Sequence, residues 1–221
     1  MVSSPRIQVA LDVLSLSDAL RVGEAALEAG ADWLEIGKPL VEFAGISALG
    51  RIREAFPDAY LLADLMIIAG SQRYVGAAAD LGLDNVTVTA LAPARTVLAA
   101  IEAGRDRGIS VTVDLFHVAD VVREAVRYAE AGAEYLMVHL GADERGPDGS
   151  VAALADLRSV LAQVQTPVSF ATYSLDEAVA ATRAGAAVIV QGEPLISARD
   201  PRAALGDFIS AVQSVNPRSE P

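Results

Sequence analysis

Lys38 is the only lysine among the 17 basic residues of the chain; every other one is arginine. Arginine is a fixed, permanently charged fork, whereas lysine is a compact charge whose pKa burial can lower. Its single use, directly after Leu34-Glu35-Ile36-Gly37, therefore points to chemistry. The competing reading is a solvated loop lysine. Other reactive groups close apolar runs along the chain: Asp12, Glu35, Asp64, Thr89, Asp114, His139, Thr172 and the pair Gly192-Glu193. A carboxylate at the end of a buried segment is costly unless it is paired or bound to a metal. If Asp12, Glu35, Asp64 and Asp114 share one mouth, they cannot all stay ionised without cations. Lys38 would supply one, and a hard divalent ion such as Mg2+, held by oxygen ligands, could supply more. The alternative, at least as good for Asp114, is that such carboxylates cap loop backbones. His139 is the natural proton carrier, because only histidine titrates near neutrality unperturbed. His117 reads as a surface or capping histidine.

Elements able to bring these groups together can be read from the apolar pattern. Ile7–Leu11 predicts a first strand, and Ser17 an N-cap for a helix that ends at Gly30. Trp33–Gly37 predicts the second strand, 46–56 a helix broken by Pro57-Asp58, and 60–65 a third strand. The joint at Gly30 recurs: Ala29-Gly30-Ala31-Asp32, Leu81-Gly82-Leu83-Asp84, Ala131-Gly132-Ala133-Glu134 and Ala184-Gly185-Ala186-Ala187 each end a helix and open a strand. Their spacing of about fifty residues holds two strand–helix units. Intervening strands are expected at 110–115 and 168–170, which makes eight units and predicts a closed (β/α)8 TIM barrel spanning residues 1–221 as a single domain. In such a barrel the strand ends named above gather at one face, so the list is also a candidate site. The polar run Asp143–Ser150 after the sixth strand reads as a lid or as a solvated connection.

Composition narrows the function class. The chain is 52% hydrophobic but only 5% aromatic, which suits buried parallel strands. A net charge of −12 disfavours nucleic acid and anionic membranes, both of which need a basic footprint. Without cysteine there is no disulfide and no thiolate chemistry. The first residues show no signal-peptide pattern and no run is long enough to span a bilayer, so a soluble cytoplasmic protein is expected.

Taken together, Ala10-Leu11-Asp12, Glu35-Ile36-Gly37-x-Pro39-Leu40, Ala63-Asp64-Leu65, Val113-Asp114-Leu115, Val138-His139-x-Gly141-x-Asp143 and Ala198-Arg199-Asp200-Pro201 resemble the orotidine-monophosphate-decarboxylase superfamily. The nearest branch is that of 3-hexulose-6-phosphate synthase and 3-keto-L-gulonate-6-phosphate decarboxylase. The resemblance implies that Glu35 and Asp64 hold Mg2+, that the metal stabilises an enediolate made from a ketose phosphate, and that His139 shuttles a proton. It also implies a homodimer with sites near the interface.

Departures from the family pattern shape the expectation further. Its third-strand Asp-x-Lys-x-x-Asp reads Asp64-Leu65-Met66-Ile67-Ile68-Ala69 here, so Met66 and Ala69 replace the lysine and second aspartate. Lys38 is then expected to reach into the mouth and replace the missing charge. Where the family ends strand seven with Gly-Gly and follows strand eight with Gly-Arg, this chain has Ala171-Thr172-Tyr173-Ser174 and Gly192-Glu193. Thr172 and Ser174 hydroxyls are expected to contact the substrate, with Asp114, Gly192 and Glu193 beside them. The expected function is a diverged carbon–carbon lyase, aldolase-like or decarboxylase-like, on a ketose or ketose phosphate, with Asp12, Lys38, Asp64 and His139 as the catalytic set. Alternatives are an isomerase or epimerase using the same enediolate, a non-catalytic binding barrel, and a Schiff-base enzyme built on Lys38.

Overall fold

A computed structural model describes residues 4–144 and 147–215. β1 (Arg6–Leu11) leads to α1 (Leu16–Glu28), and β2 (Trp33–Ile36) to α2 (Lys38–Ala44) and α3 (Ser47–Ala55). β3 (Tyr60–Ile67) precedes α4 (Ser71–Asp80), β4 (Asn85–Thr89) precedes α5 (Ala94–Arg107), and β5 (Ser110–Asp114) precedes α6 (Val121–Glu130). β6 (Tyr135–Val138) runs through a 3-10 turn at Ala142–Glu144 into α7 (Pro147–Leu161). β7 (Val168–Thr172), α8 (Leu175–Ala184), β8 (Val188–Gln191) and α9 (Pro201–Gln213) complete the order. The strands are parallel in sequence order and the sheet closes where β8 pairs with β1, Gln8 opposite Val190. This is the TIM barrel that the alternating units predict.

The four recurrent joints explain why the chain turns where it does. Gly30, Gly82, Gly132 and Gly185 all have φ between 77° and 103°, a left-handed backbone that side chains with a Cβ resist. In each, the amide after the glycine bonds back into the last helical turn, as Ala31 N does to Ala26 O at 3.0 Å. Alternation then sorts the strand residues. Ile7, Val9 and Leu11 of β1, with Leu34 and Ile36 of β2, face the helices in the main core, while Gln8, Ala10, Trp33 and Glu35 face inward. Trp33 stacks on Tyr60 at 4.2 Å and meets Tyr135 edge-on at 5.2 Å, closing the N-terminal end of the lumen with aromatic rings.

Several local expectations are corrected. Helix α1 is capped by Ser15, not Ser17: half a turn earlier, Ser15 Oγ accepts from Asp18 N at 3.1 Å and donates to Asp18 Oδ2 at 2.6 Å. Lys38 is no loop residue but the first residue of α2, a helix started by Gly37 as N-cap and Pro39 in its first turn. β3 runs on to Ile67 and β7 to Thr172. Much of the polar run after β6 is helical from Pro147 onward; Arg145 and Gly146, and with them that part of the lid reading, lie outside the described residues, as do residues 1–3 and 216–221.

Candidate active site

A cavity of about 510 Å³ opens at the carboxyl ends of the strands. It is lined by Asp12, Glu35, Asp64, His139, Gly192 and Glu193 among others, so these expected site residues are brought together. Asp12 reaches it because β1 ends against two glycines. A Cβ at Gly37 would collide with Asp12 Oδ1 and sit 2.9 Å from Leu11 O, and one at Gly192 would lie 3.2 Å from Ala10 O.

Asp64 is aimed inward by a bulge. Ala63 pairs with Val86 but Ile67 pairs with Val88, so Asp64, Leu65 and Met66 loop out of the ladder. Met66 takes φ 38° and its amide donates to Thr87 Oγ1 at 2.8 Å. The same Thr87 hydroxyl donates to Asp64 Oδ1 at 2.6 Å. Glu35, 6% exposed, accepts at Oε2 from Gln8 Nε2 at 2.5 Å. Burial, with the charges of Asp64, Asp12 and Asp114 added to it, pushes the Glu35 carboxyl well above the ordinary range against the Gln8 hydrogen bond. Burial likewise lifts Asp64 to about 6; Thr87 and His139 oppose the rise, and Asp114 and Asp12 add to it. Asp12 is also raised, mainly by burial and further by Glu193, although His139 pulls it down.

His139 bonds through Nδ1 to Asp114 Oδ2 at 3.2 Å. Burial lowers its pKa, but the Asp114 hydrogen bond and the charges of Asp114, Asp64 and Asp12 outweigh that and raise it. The nitrogen left for proton transfer is Nε2. Asp114, fully buried, also accepts from Phe116 N at 3.0 Å with its other oxygen. It therefore orients the imidazole and ties the β5 loop, and is a positioning residue, which corrects its expected contact with substrate.

Three further expectations are corrected. The Lys38 ammonium pairs with Glu42 along α2, because i and i+4 are neighbours on a helix. Lys38 borders the cavity, but its charge is spent at the rim and does not replace the missing third-strand lysine. Thr172 is among the residues that line the cavity. Its hydroxyl lies 3.1 Å from Val190 O and 3.0 Å from Gln191 Oε1, so it is engaged with the neighbouring strand in the free protein. Ser174 caps α8, its hydroxyl accepting from Glu177 N. Thr89 Oγ1 accepts from Leu91 N at 3.2 Å and serves its own loop. His117 is half-exposed and pairs with Glu144, in keeping with a surface role.

The residues missed are Gln8 and Thr87, the partners of Glu35 and Asp64. Both were legible by period two: Gln8 is in phase with Asp12, and Thr87 with Thr89. For a divalent ion the fit is good. Glu35 and Asp64 are buried carboxylates held above their usual pKa with no cation against them, and Gln8 Oε1 is a buried oxygen without a hydrogen-bond partner among the described residues. Among the described residues no group of three or more His, Asp or Glu side chains is placed to hold a metal ion, so the pair alone would need substrate and water oxygens to complete the coordination of Mg2+.

Comparison with known proteins agrees with this geometry. Residues 5–208 match the family described as orotidine 5'-phosphate decarboxylase / HUMPS. The chain is 31% identical over 211 residues to the 3-hexulose-6-phosphate synthase of Mycobacterium gastri, covering 94% of this chain and 99% of that one. It superposes on a crystal structure of 3-hexulose-6-phosphate synthase with a TM-score of 0.86, at 30% identity over 93% of this chain and 99% of the other. The fold is also that of 3-keto-L-gulonate-6-phosphate decarboxylase from Vibrio cholerae O1, with a TM-score of 0.80 at 20% identity over 97% and 100% of the two chains. No helix among the described residues is long and apolar enough to cross a membrane.

Proposed function

The chain belongs to the orotidine 5'-phosphate decarboxylase / HUMPS family, and on that footing we propose that it is a carbon–carbon lyase of the hexulose-phosphate-synthase type, acting on a ketose-like substrate through an enediolate. The observation that carries this reading is the convergence of buried Glu35 and Asp64 with the His139–Asp114 pair in one cavity. Glu35 and Asp64 would hold Mg2+, which supplies positive charge to an oxyanion as it develops on the substrate. Thr87 and Gln8 fix the two carboxylates from behind, so that their oxygens need not reorganise when substrate enters. Asp114 holds the His139 ring at Nδ1 and stabilises its protonated form, leaving Nε2 to give or take a proton at the substrate. Asp12, its carboxyl raised mainly by burial, lies at the same mouth as a second proton-holding group. None of these roles requires a lysine at position 66.

The reading is tested by titrating Mg2+ or Mn2+ calorimetrically and following solvent deuterium into candidate ketoses. Binding that is lost in Glu35→Gln and Asp64→Asn, with label entering beside the carbonyl, is the expected outcome. Absence of both would reject it. The assembly that fits is a homodimer. Phe43 and Ile68 are 71% and 64% exposed, and Ile46, Ile68 and Tyr74 surround a hollow of about 300 Å³ that adjoins the cavity at Asp64 and Met66. An apolar rim continuous with the site is what a second copy would cover, and Phe43→Glu should yield monomers in sedimentation.

A further inference from the structure

We propose that the substrate end lying between β7 and β8 carries no phosphate ester but free hydroxyls, because Glu193, with Asp12 and Asp143 on the same cavity wall, holds the position from which an anion would be gripped. This deepens the lyase reading and rests on it.

In (β/α)8 barrels the loops after the seventh and eighth strands often cradle phosphate, because unpaired backbone amides and a helix N-terminus point at it. Here several of those donors are already used within the chain. Tyr173 N donates to Glu177 Oε2 at 2.7 Å, so a carboxylate accepts the amide that follows β7. Glu177 N donates to Ser174 Oγ, and the other Glu177 oxygen takes the Ser150 hydroxyl. After β8 the chain reads Gly192-Glu193-Pro194. Pro194 has no N–H to offer, and Gln191 Nε2 is turned toward the Gly192 and Glu193 carbonyls, at 3.3 and 2.9 Å. The Glu193 carboxylate lines the cavity, where it is held by the Ser197 hydroxyl and is close enough to Asp12 to help raise its pKa.

A phosphate entering this end would meet the Glu193 carboxylate, with Asp12 and Asp143 on the same wall. A hydroxylated chain would instead find acceptors, since carboxylate oxygens take O–H donors well. Asp12, Asp143 and Glu193 all line this cavity. Its volume of about 510 Å³ lies in the range of small-ligand sites.

The test uses the full-length chain with Mg2+ and two matched pairs, D-ribulose and D-fructose, each beside its terminal phosphate ester, with solvent deuterium incorporation read by NMR. The free ketose should exchange with a kcat/KM at least about tenfold above that of its ester, and Glu193→Arg should invert the preference. The opposite preference in the wild type overturns the inference while leaving the enediolate reading intact. Label in none of the four compounds counts against the enediolate reading instead. The inference is then judged by calorimetry with inorganic phosphate. No saturable binding by the wild type, with binding appearing in Glu193→Arg and, about tenfold weaker, in the neutral Glu193→Gln, supports it. Saturable millimolar binding by the wild type overturns it, and the Arg145→Ala variant shows whether that residue carries the signal. Variants that are folded by thermal melt yet stay as blind to phosphate as the wild type overturn the assignment to Glu193.

Discussion

Both ends of this barrel collect carboxylates, and the two collections are built in opposite ways. At the N-terminal end each acidic side chain of a glycine joint is given a donor. Asp32 accepts from Ile7 N at 2.7 Å, Asp84 accepts from Leu61 N at 2.8 Å and pairs with Arg53, and Glu134 accepts from the Ser110 hydroxyl. Arg53 adds bonds to the Gly82, Phe56, Pro57 and Ala59 carbonyls and so staples one loop to the next joint. At the C-terminal end Glu35 and Asp64 are buried with like charges and, among the described residues, have Gln8 and Thr87 as their hydrogen-bond partners, so their carboxyls are pushed up toward the protonated form. One end uses its acids to hold strands together. The other stores unbalanced charge, which destabilises the free protein and is useful only if a ligand or cation relieves it.

The contrast can be broken most decisively by exchanging charge for amide at each end. Asp64→Asn should lower turnover by about 10²–10³-fold while raising the melting temperature of EDTA-treated protein. Asp84→Asn should leave turnover per folded molecule unchanged and lower stability, by on the order of 1–3 kcal/mol in denaturant titrations. If both variants lose activity and stability in parallel, the two ends are not different in kind.

Asp114→Asn comes next, with an expected loss of about 10–100-fold. Because the Asp114 hydrogen bond and charge raise the His139 pKa against burial, the imidazole should titrate lower in this variant. An unchanged imidazole titration by NMR would remove Asp114 from its positioning role.

The pH dependence of stability sharpens the comparison. Asp64 is raised from 3.8 to about 6, so the folded protein keeps a proton that the unfolded chain releases. Its contribution is complete below 3.8 and is lost as pH rises through about 6, an effect on the order of 3 kcal/mol for a fully buried group. Metal-free protein should therefore melt progressively lower across that window, and Asp64→Asn should flatten the change. Lys38→Ala is the smallest: the exposed Lys38–Glu42 pair should change stability by under about 1 kcal/mol, and initial-rate assays should show turnover within about threefold of wild type. A larger loss of turnover would bring the ammonium back into the site.

Which parts of this were legible follows a physical line. Gly30, Gly82, Gly132 and Gly185 could be recognised because a left-handed helix end needs glycine wherever it falls in space. Asp12, Glu35, Asp64 and His139 could be recognised because a charge closing an apolar strand is costly in any fold. The partners of the Thr172 hydroxyl, Val190 O and Gln191 Oε1, could not, since both lie on the neighbouring strand. Ser17 lost its role to Ser15 by a shift of one half-turn.

The order of units, the closed sheet and the set of acids at strand ends were determined by local chemistry, because turn geometry and burial cost act on each segment alone. Whether a given side chain looks into the lumen or away from it was decided by the assembled barrel. The bulge that aims Asp64 depends on Thr87 of the next strand, so no single segment could specify it, whereas the Lys38–Glu42 and Tyr173–Glu177 pairs are local and hinged only on where each helix begins.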